Sequence, residues 1–165
     1  MVTMPQTGVR VADEVWISIA LLHRENPEAR DFSVQEITIR AAGEAIAGSI
    51  RPGVYVHVVQ HCVANRAPSP ATYRMLFESG RGRRRLFRKG DAYHPGREGG
   101  KITPVREQIP PRYVDLLDWY QEWSSSAEFS AAAEDPLVAL KGSGARLWND
   151  ETPDAYVRRL REGWE

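Results

Sequence analysis

A run of basic side chains between residues 81 and 89 is the densest concentration of charge in the sequence, and it suits the binding of a polyanion. Before it, Tyr73, Met75 and Phe77 occupy alternate positions as in a strand, and Gly80 and Gly82 favour a turn. This pattern predicts a β-hairpin with cations on its turn and return strand. They are Arg81, Arg83, Arg84, Arg85, Arg88 and Lys89. The alternative is a solvated edge hairpin, whose basic residues block pairing with other sheets.

Charge is distributed unevenly, although the 165 residues contain 22 Lys and Arg and 22 Asp and Glu. Residues 1–70 have a net charge of −1, residues 71–106 of +7 and residues 107–165 of −6. A basic centre followed by an acidic end suggests two binding roles, one for a polyanion and one for another partner. Alternatively, the acidic end folds over the basic hairpin and neutralises it.

Two histidines raise the question of a metal site. His57 and His61 lie four residues apart, with Cys62 beside them and His94 further on, a spacing that zinc ligands can have. No CxxC pair or zincin glutamate accompanies them, so packed or exposed histidines and no cofactor are expected. The sequence also lacks a P-loop, a nucleophile elbow and a dinucleotide-binding fingerprint. We therefore predict that the protein is not an enzyme.

Two helices are expected ahead of the ambiguous segment described next. Apolar residues recur at helical spacing over residues 11–24, and Pro27 ends this helix. Ser33 and Glu36 form a capping box, so a second helix should start at about Val34. Gly43 should close this second helix.

Residues 50–64 are compatible with a strand or a helix. The valines of this segment alternate as in a strand, but Ile50, Val54, Val58 and Cys62 fall at steps of four. We favour a helix. Three helices followed by a basic hairpin predict an α+β fold of the winged helix-turn-helix type over residues 10–106.

In such a fold the third helix would read DNA bases through polar side chains, and Lys and Arg around it would hold phosphates. On the helix, the predicted DNA contacts are Arg51, Tyr55, His57 and Gln60. On the hairpin, they are Arg74, Arg81, Arg83, Arg84, Arg85, Arg88 and Lys89.

Several segments of this region resemble an uncharacterised bacterial and archaeal family of winged-helix type. They are the stretch 54–70, Arg74-Met75-Leu76, the run 82–91 and His94-Pro95. The resemblance covers about residues 10–106 and implies a winged-helix fold with a DNA-binding role.

The C-terminal part divides into three segments. Residues 107–123 include an apolar helical face that would pack on the domain or form a homodimer. Residues 124–135, rich in Ser and Ala, predict a flexible linker. Residues 136–165 form a tail, predicted to be extended and helical, whose large apolar side chains need a partner surface or dock on their own domain.

The tail resembles the toxin-binding tail of VapB-type antitoxins. The similarity lies in Leu140-Lys-Gly-Ser-Gly, Leu147-Trp148 and the run 154–164. It implies a PIN-domain-type nuclease toxin as partner, although VapB proteins usually have a different DNA-binding fold. The expected partner contacts are Leu140, Arg146, Leu147, Trp148, Tyr156, Arg158, Arg159, Leu160, Arg161 and Trp164.

Together these patterns predict a non-enzymatic, cytoplasmic DNA-binding protein with an antitoxin-like tail, acting as a transcriptional repressor of a toxin-antitoxin pair. Its expected partners are double-stranded DNA, a toxin and a second copy of the chain. One alternative is an interaction or dimerisation scaffold without nucleic-acid binding; a second is a metal-dependent nuclease. No membrane segment or signal peptide is apparent.

Overall fold

A computed structural model describes the backbone of residues 8–134 and Arg158, and the side chains of residues 8–126 and Arg158. These residues contain four helices and a small three-stranded antiparallel sheet, so the protein is of mixed α and β type. Among the described residues, those up to Ser124 belong to one compact unit, and those from Ser125 onwards belong to a second.

The first helix, α1 (Val11–Glu25), lies in the middle of the core. Eleven of its fifteen residues are buried, which is more than one apolar face. The predicted helix at 11–24 is therefore confirmed, but the expectation of a one-sided helix understates its burial. Packing on nearly all sides is typical of a central helix.

Strand β1 (Phe32–Ser33) leads directly into helix α2 (Val34–Glu44). The predicted capping box is present: Ser33 Oγ accepts from the Glu36 N–H at 3.1 Å, and Glu36 Oε2 accepts from the Ser33 N–H at 2.7 Å. The predicted end at Gly43 is wrong, because the left-handed capping residue is Ala45, with φ of 46°. Glu44 extends the helix, since its carboxylate binds Arg40 one turn earlier at 2.9 Å.

The ambiguous segment is helical, as predicted, but shorter than expected. Helix α3 (Gly53–Val56) continues as a π-helical turn, His57–His61. We refer to residues 53–61 as the third helix. A π-helical turn is wider than an α-turn, and it changes which carbonyls find helical partners.

The predicted hairpin is also confirmed and consists of β2 (Leu76–Gly80) and β3 (Arg83–Leu86). Strand β3 lies between β1 and β2, and both pairings are antiparallel. The sequence did not predict β1, because two residues are too few to show an alternating pattern.

Three short 3₁₀ turns, Pro95–Arg97, Arg106–Gln108 and Pro111–Tyr113, lead to helix α4 (Asp115–Glu134). The predicted apolar face at 111–123 is buried in the core through Tyr113, Leu116 and Tyr120. This face thus packs within its own unit.

The segment expected to be a linker, 124–135, is helical up to Glu134. Among the described residues, no helix combines the length and apolar character needed to cross a membrane.

Candidate functional site: the third helix and the basic hairpin

Two buried arginines join the end of the third helix to the hairpin and to the following loop. The last carbonyls of a helix lack helical N–H donors and need other partners. Arg84 on β3 is 1% exposed and donates to the carbonyls of Val58 and Val59 at 3.1 and 3.3 Å. Arg97 is completely buried and donates to the next two carbonyls, those of residues 60 and 61, both at 2.9 Å.

Arg97 also binds three carbonyls outside the helix. These belong to Arg66 at 2.6 Å, Tyr73 at 2.7 Å and Ala67 at 3.3 Å. Five carbonyls thus surround one guanidinium and satisfy its donors without an acid, as a buried cation requires. Sequence reasoning missed Arg97, because it lies in a loop without periodicity. Arg84, a predicted DNA contact, is inaccessible to a phosphate in this conformation.

The turn of the hairpin is held against the start of α2. The Val34 N–H donates to the Gly82 carbonyl at 3.1 Å. Arg83 forms an ion pair with Asp31 at 2.6 Å and lies 3.7 Å from Glu36. The hairpin is therefore a packed part of the unit.

The remaining arginines near the strands also have partners inside the protein. Arg85 forms two hydrogen bonds with Asp91, at 2.6 and 2.8 Å. Arg88 lies over the ring of Trp123, 4.5 Å from its centroid. Arg74 lies 4.4 Å from the ring centroid of Tyr93, and its Nε donates to the Gly100 carbonyl. Such cation–π and bidentate contacts fix side chains that were expected to bind phosphates.

Two of the predicted hairpin cations remain exposed. Arg81 lies in the turn, and Lys89 follows the end of β3. No hydrogen bond or ion pair joins either one to the residues that the structure describes. Both are therefore available to a polyanion.

Most of the predicted base-reading side chains on and before the third helix are bound within the chain. Arg51 donates twice to Glu14 Oε2, at 2.6 and 2.9 Å. His57 Nδ1 is hydrogen bonded to the Gly53 carbonyl at 2.8 Å, and burial lowers the pKa of His57. Gln60 donates to the Ala67 carbonyl at 2.5 Å. Tyr55, by contrast, is 58% exposed and makes no such bond with the described residues.

Four large apolar side chains on and between α2 and the third helix are exposed, and Glu36 near the start of α2 is an exposed charge. Ile39, Ile50, Tyr55 and Val56 are 62, 45, 58 and 43% exposed. Glu44 and Arg51, the charged residues between positions 41 and 65, are both paired within the chain.

Two buried acids at the start of α1 were not predicted to interact with anything. Asp13 and Glu14 are both fully buried. Asp13 binds Lys101 at 2.8 Å, and Glu14 binds Arg51 at 2.6 Å. One oxygen of each carboxylate has no partner among the described residues. These pairs connect α1 to two later parts of the chain and explain why Arg51 is not directed at a ligand.

The histidine pair does not assemble a metal site among the described residues. The rings of His57 and His61 pack edge to face, with centroids 4.9 Å apart. Cys62 is buried, and burial raises the pKa of its thiol. No group of three or more His, Cys, Asp or Glu in this part of the chain could hold an ion.

The predicted partner-binding tail lies outside the described residues except for Arg158, which is helical and exposed. The other tail contacts, from Leu140 to Trp164, therefore remain predictions.

A scan against protein-family models found no match, and searches of curated proteins and of solved structures found none either.

Proposed function

We propose that this protein is a DNA-binding protein of winged-helix type whose tail captures a protein partner, in the manner of an antitoxin that represses its own operon. The order of elements is the observation that carries the proposal. Three helices precede a two-stranded hairpin, and β3 lies between β2 and β1. This is the layout expected of a helix-turn-helix with a wing.

Phosphate contacts are assigned to the exposed cations of the hairpin, Arg81 and Lys89. Neither forms an ion pair with a described residue, so neither has to give up an internal partner on binding. Arg83 is partly exposed and would first have to leave Asp31. Base reading by the third helix is not assigned, because its exposed side chains are mostly apolar. The proposed binding is thus mainly electrostatic.

Salt dependence of duplex binding tests this assignment. The logarithm of the affinity should fall with the logarithm of salt concentration by about 0.9 per phosphate contact. We expect the double variant Arg81→Ala and Lys89→Ala to reduce that slope by about two on a random duplex of roughly 30 base pairs. Arg106→Ala, an exposed arginine outside the hairpin, is the matched control and should leave the slope unchanged.

Fluorescence anisotropy between about 50 and 300 mM salt measures the affinity for the duplex and its dependence on salt concentration. No binding at the lowest salt concentration would reject the nucleic-acid role. An equal change of the salt slope in the control and in the double variant would reject the assignment of the phosphate contacts to the hairpin.

For the tail, we propose that Leu147, Trp148, Tyr156, Leu160 and Trp164 anchor on a toxin as apolar and aromatic contacts. An arginine of the run 158–161 would enter the acidic metal site of a PIN-type nuclease, because a guanidinium pairs bidentately with carboxylates. The resemblance to VapB-type tails supports this part of the proposal.

A second candidate is an interaction module without nucleic-acid binding. The observation in its favour is that Arg83, Arg84 and Arg85 are bound to partners within the unit, while four large apolar side chains on and between α2 and the third helix are exposed. The salt experiment separates the two candidates, since this module would not bind the duplex.

A further inference from the structure

Asp31, just before β1, holds the most accessible of the three consecutive arginines on β3. The side chain of Arg83 is 43% exposed, compared with 2% for Arg84 and 15% for Arg85. Arg84 binds carbonyls of the third helix, and Arg85 is bound by Asp91. Of these three arginines, Arg83 is therefore the one that a ligand in solution can reach most easily.

Asp31 and Arg83 are joined by several contacts. One terminal nitrogen of Arg83 lies 2.6 Å from Asp31 Oδ1, and Nε donates to the same oxygen at 2.8 Å. That terminal nitrogen also lies 3.1 Å from the backbone carbonyl oxygen of Asp31. The second carboxylate oxygen accepts from the Ser79 hydroxyl at 2.8 Å. Burial, which raises the pKa of Asp31, is outweighed by the hydrogen bonds from Ser79 and Arg83, so this pKa is lowered and Asp31 is charged at neutral pH.

A phosphate and Asp31 would compete for the same guanidinium. Arg81, a proposed phosphate contact, lies two residues before Arg83 in the chain. Since a duplex carries one charge per about 1.7 Å of its axis, a duplex bound at Arg81 brings phosphates near Arg83. Asp31 repels those phosphates and occupies donors that would bind them. Glu36, whose carboxylate lies 3.7 Å from Arg83, adds a second negative charge.

We propose that Asp31 limits the affinity of the hairpin for nucleic acid by holding Arg83, which becomes a third phosphate contact when the charge of Asp31 is removed. The inference rests on the proposed nucleic-acid role and adds the residue that controls how strongly the hairpin binds. An exposed ion pair is weak, so Arg83 can exchange Asp31 for a phosphate without unfolding. Asp91 does not share this role, because its pair with Arg85 is largely buried.

Asp31→Asn in the full chain tests the proposal, with a random duplex of roughly 30 base pairs. Asparagine removes the charge but keeps an oxygen that can accept a hydrogen bond and an amide that can donate one to Ser79, so the turn should remain folded. One added phosphate contact should steepen the salt slope by about 0.9 and strengthen binding at about 50 mM salt roughly tenfold. Fluorescence anisotropy measures the slope and the affinity, and thermal denaturation checks the fold.

Asp118→Asn is the matched control. Asp118 also binds an arginine, Arg106 at 2.7 Å, but it lies on α4 outside the hairpin. This variant makes the same change in net charge and should leave the salt slope unchanged. The double variant Asp31→Asn and Arg83→Ala has the net charge of the wild type and lacks the proposed third contact. Its salt slope should return to the wild-type value.

The outcomes separate this inference from the proposed function. A wild type that binds duplex, with an unchanged salt slope in Asp31→Asn, would overturn the inference alone. So would an equal gain in Asp118→Asn, or a gain that persists when Arg83 is also replaced. If Asp31→Asn binds duplex and the wild type does not, the role of Asp31 stands and the proposed function of the wild type fails. If neither binds at the lowest salt concentration, both fail.

Discussion

Arg84 and Arg97 divide four consecutive carbonyls at the end of the third helix between them. Arg84 takes those of residues 58 and 59, and Arg97 takes those of residues 60 and 61. The two guanidiniums come from β3 and from a 3₁₀ turn, so they connect the helix to both. This arrangement fixes the orientation of the third helix against the hairpin.

Arg97→Ala should destabilise the protein strongly. The substitution removes a completely buried guanidinium together with its hydrogen bonds to five carbonyls, and we expect a loss of about 3 kcal/mol or more. Arg97→Lys should recover only part of this, because an ammonium has three donors where the guanidinium has five. Urea denaturation measures both variants. Arg106→Ala, which removes an exposed ion pair, should cost less than about 1 kcal/mol and serves as the control.

Substitution of two arginines of the hairpin, Arg84 and Arg81, should affect different properties: the first stability, the second duplex binding. Arg84→Ala should lower the free energy of unfolding by roughly 2 to 4 kcal/mol, because it removes a buried, hydrogen-bonded cation. Arg81→Ala should leave stability within about 0.5 kcal/mol of the wild type and weaken duplex binding. Thermal denaturation together with anisotropy checks the pair. Equal stability of the two variants would contradict the structural role given to Arg84.

Stability should fall as the pH is lowered from 7 to 5, because of His23. Burial, followed by the nearby Arg88 and Arg85, lowers the pKa of His23 from 6.5 to about 3, while Asp31 opposes the shift. In this window the unfolded chain binds a proton that the folded chain does not, so stability is full above pH 6.5 and decreases below it. At pH 5 the loss should be about 2 kcal/mol.

His23→Gln provides the comparison for that pH dependence. The imidazole Nε2 of His23 accepts a hydrogen bond from the Leu86 N–H, and a glutamine oxygen can replace this acceptor. The variant should show a clearly flatter decrease in unfolding free energy between pH 7 and 5. A slope as steep as that of the wild type would assign the effect to other groups, such as His57, whose pKa burial also lowers.

Two glycine substitutions should have opposite effects on the stability of the protein. An added Cβ at Gly100 would lie 1.8 Å from the carbonyl oxygen of Thr72, so Gly100→Ala requires the backbone to move and should destabilise by about 3 kcal/mol or more. Gly43→Ala meets nothing within 4 Å inside α2 and should stabilise by about 0.5 to 1 kcal/mol. Calorimetry of the two variants tests the contrast.

A chain ending at Ser126 should keep duplex binding and lose partner capture. The first compact unit ends at Ser124, so the truncation leaves its core residues in place. Co-expression with the product of the neighbouring gene, followed by affinity purification, gives the measurement. A truncated chain that still retains or neutralises that partner would refute the assignment of partner binding to the tail.

The sequence determined the elements whose signals are local. The helical spacing of residues 11–24, the Ser33 and Glu36 capping box and the glycine turn at 80–82 each depend on neighbouring residues alone. The corresponding helix, helix start and hairpin are present in the structure. By contrast, Gly43 predicts a helix end because glycine is common at that position, but the helix continues to Glu44, whose carboxylate binds Arg40 and Tyr113.

The tertiary structure decided what each charged side chain does. In the sequence, one basic run contains Arg81, Arg83, Arg84 and Arg85. In the structure, Arg81 is exposed, whereas Arg83 and Arg85 form ion pairs with acidic side chains. Arg84 binds carbonyls of the third helix. Asp31, which binds Arg83, and the helix carbonyls that bind Arg84 lie 25 to 52 residues away along the chain. A guanidinium binds whichever acceptors the fold places within about 3 Å, and no local pattern encodes that proximity.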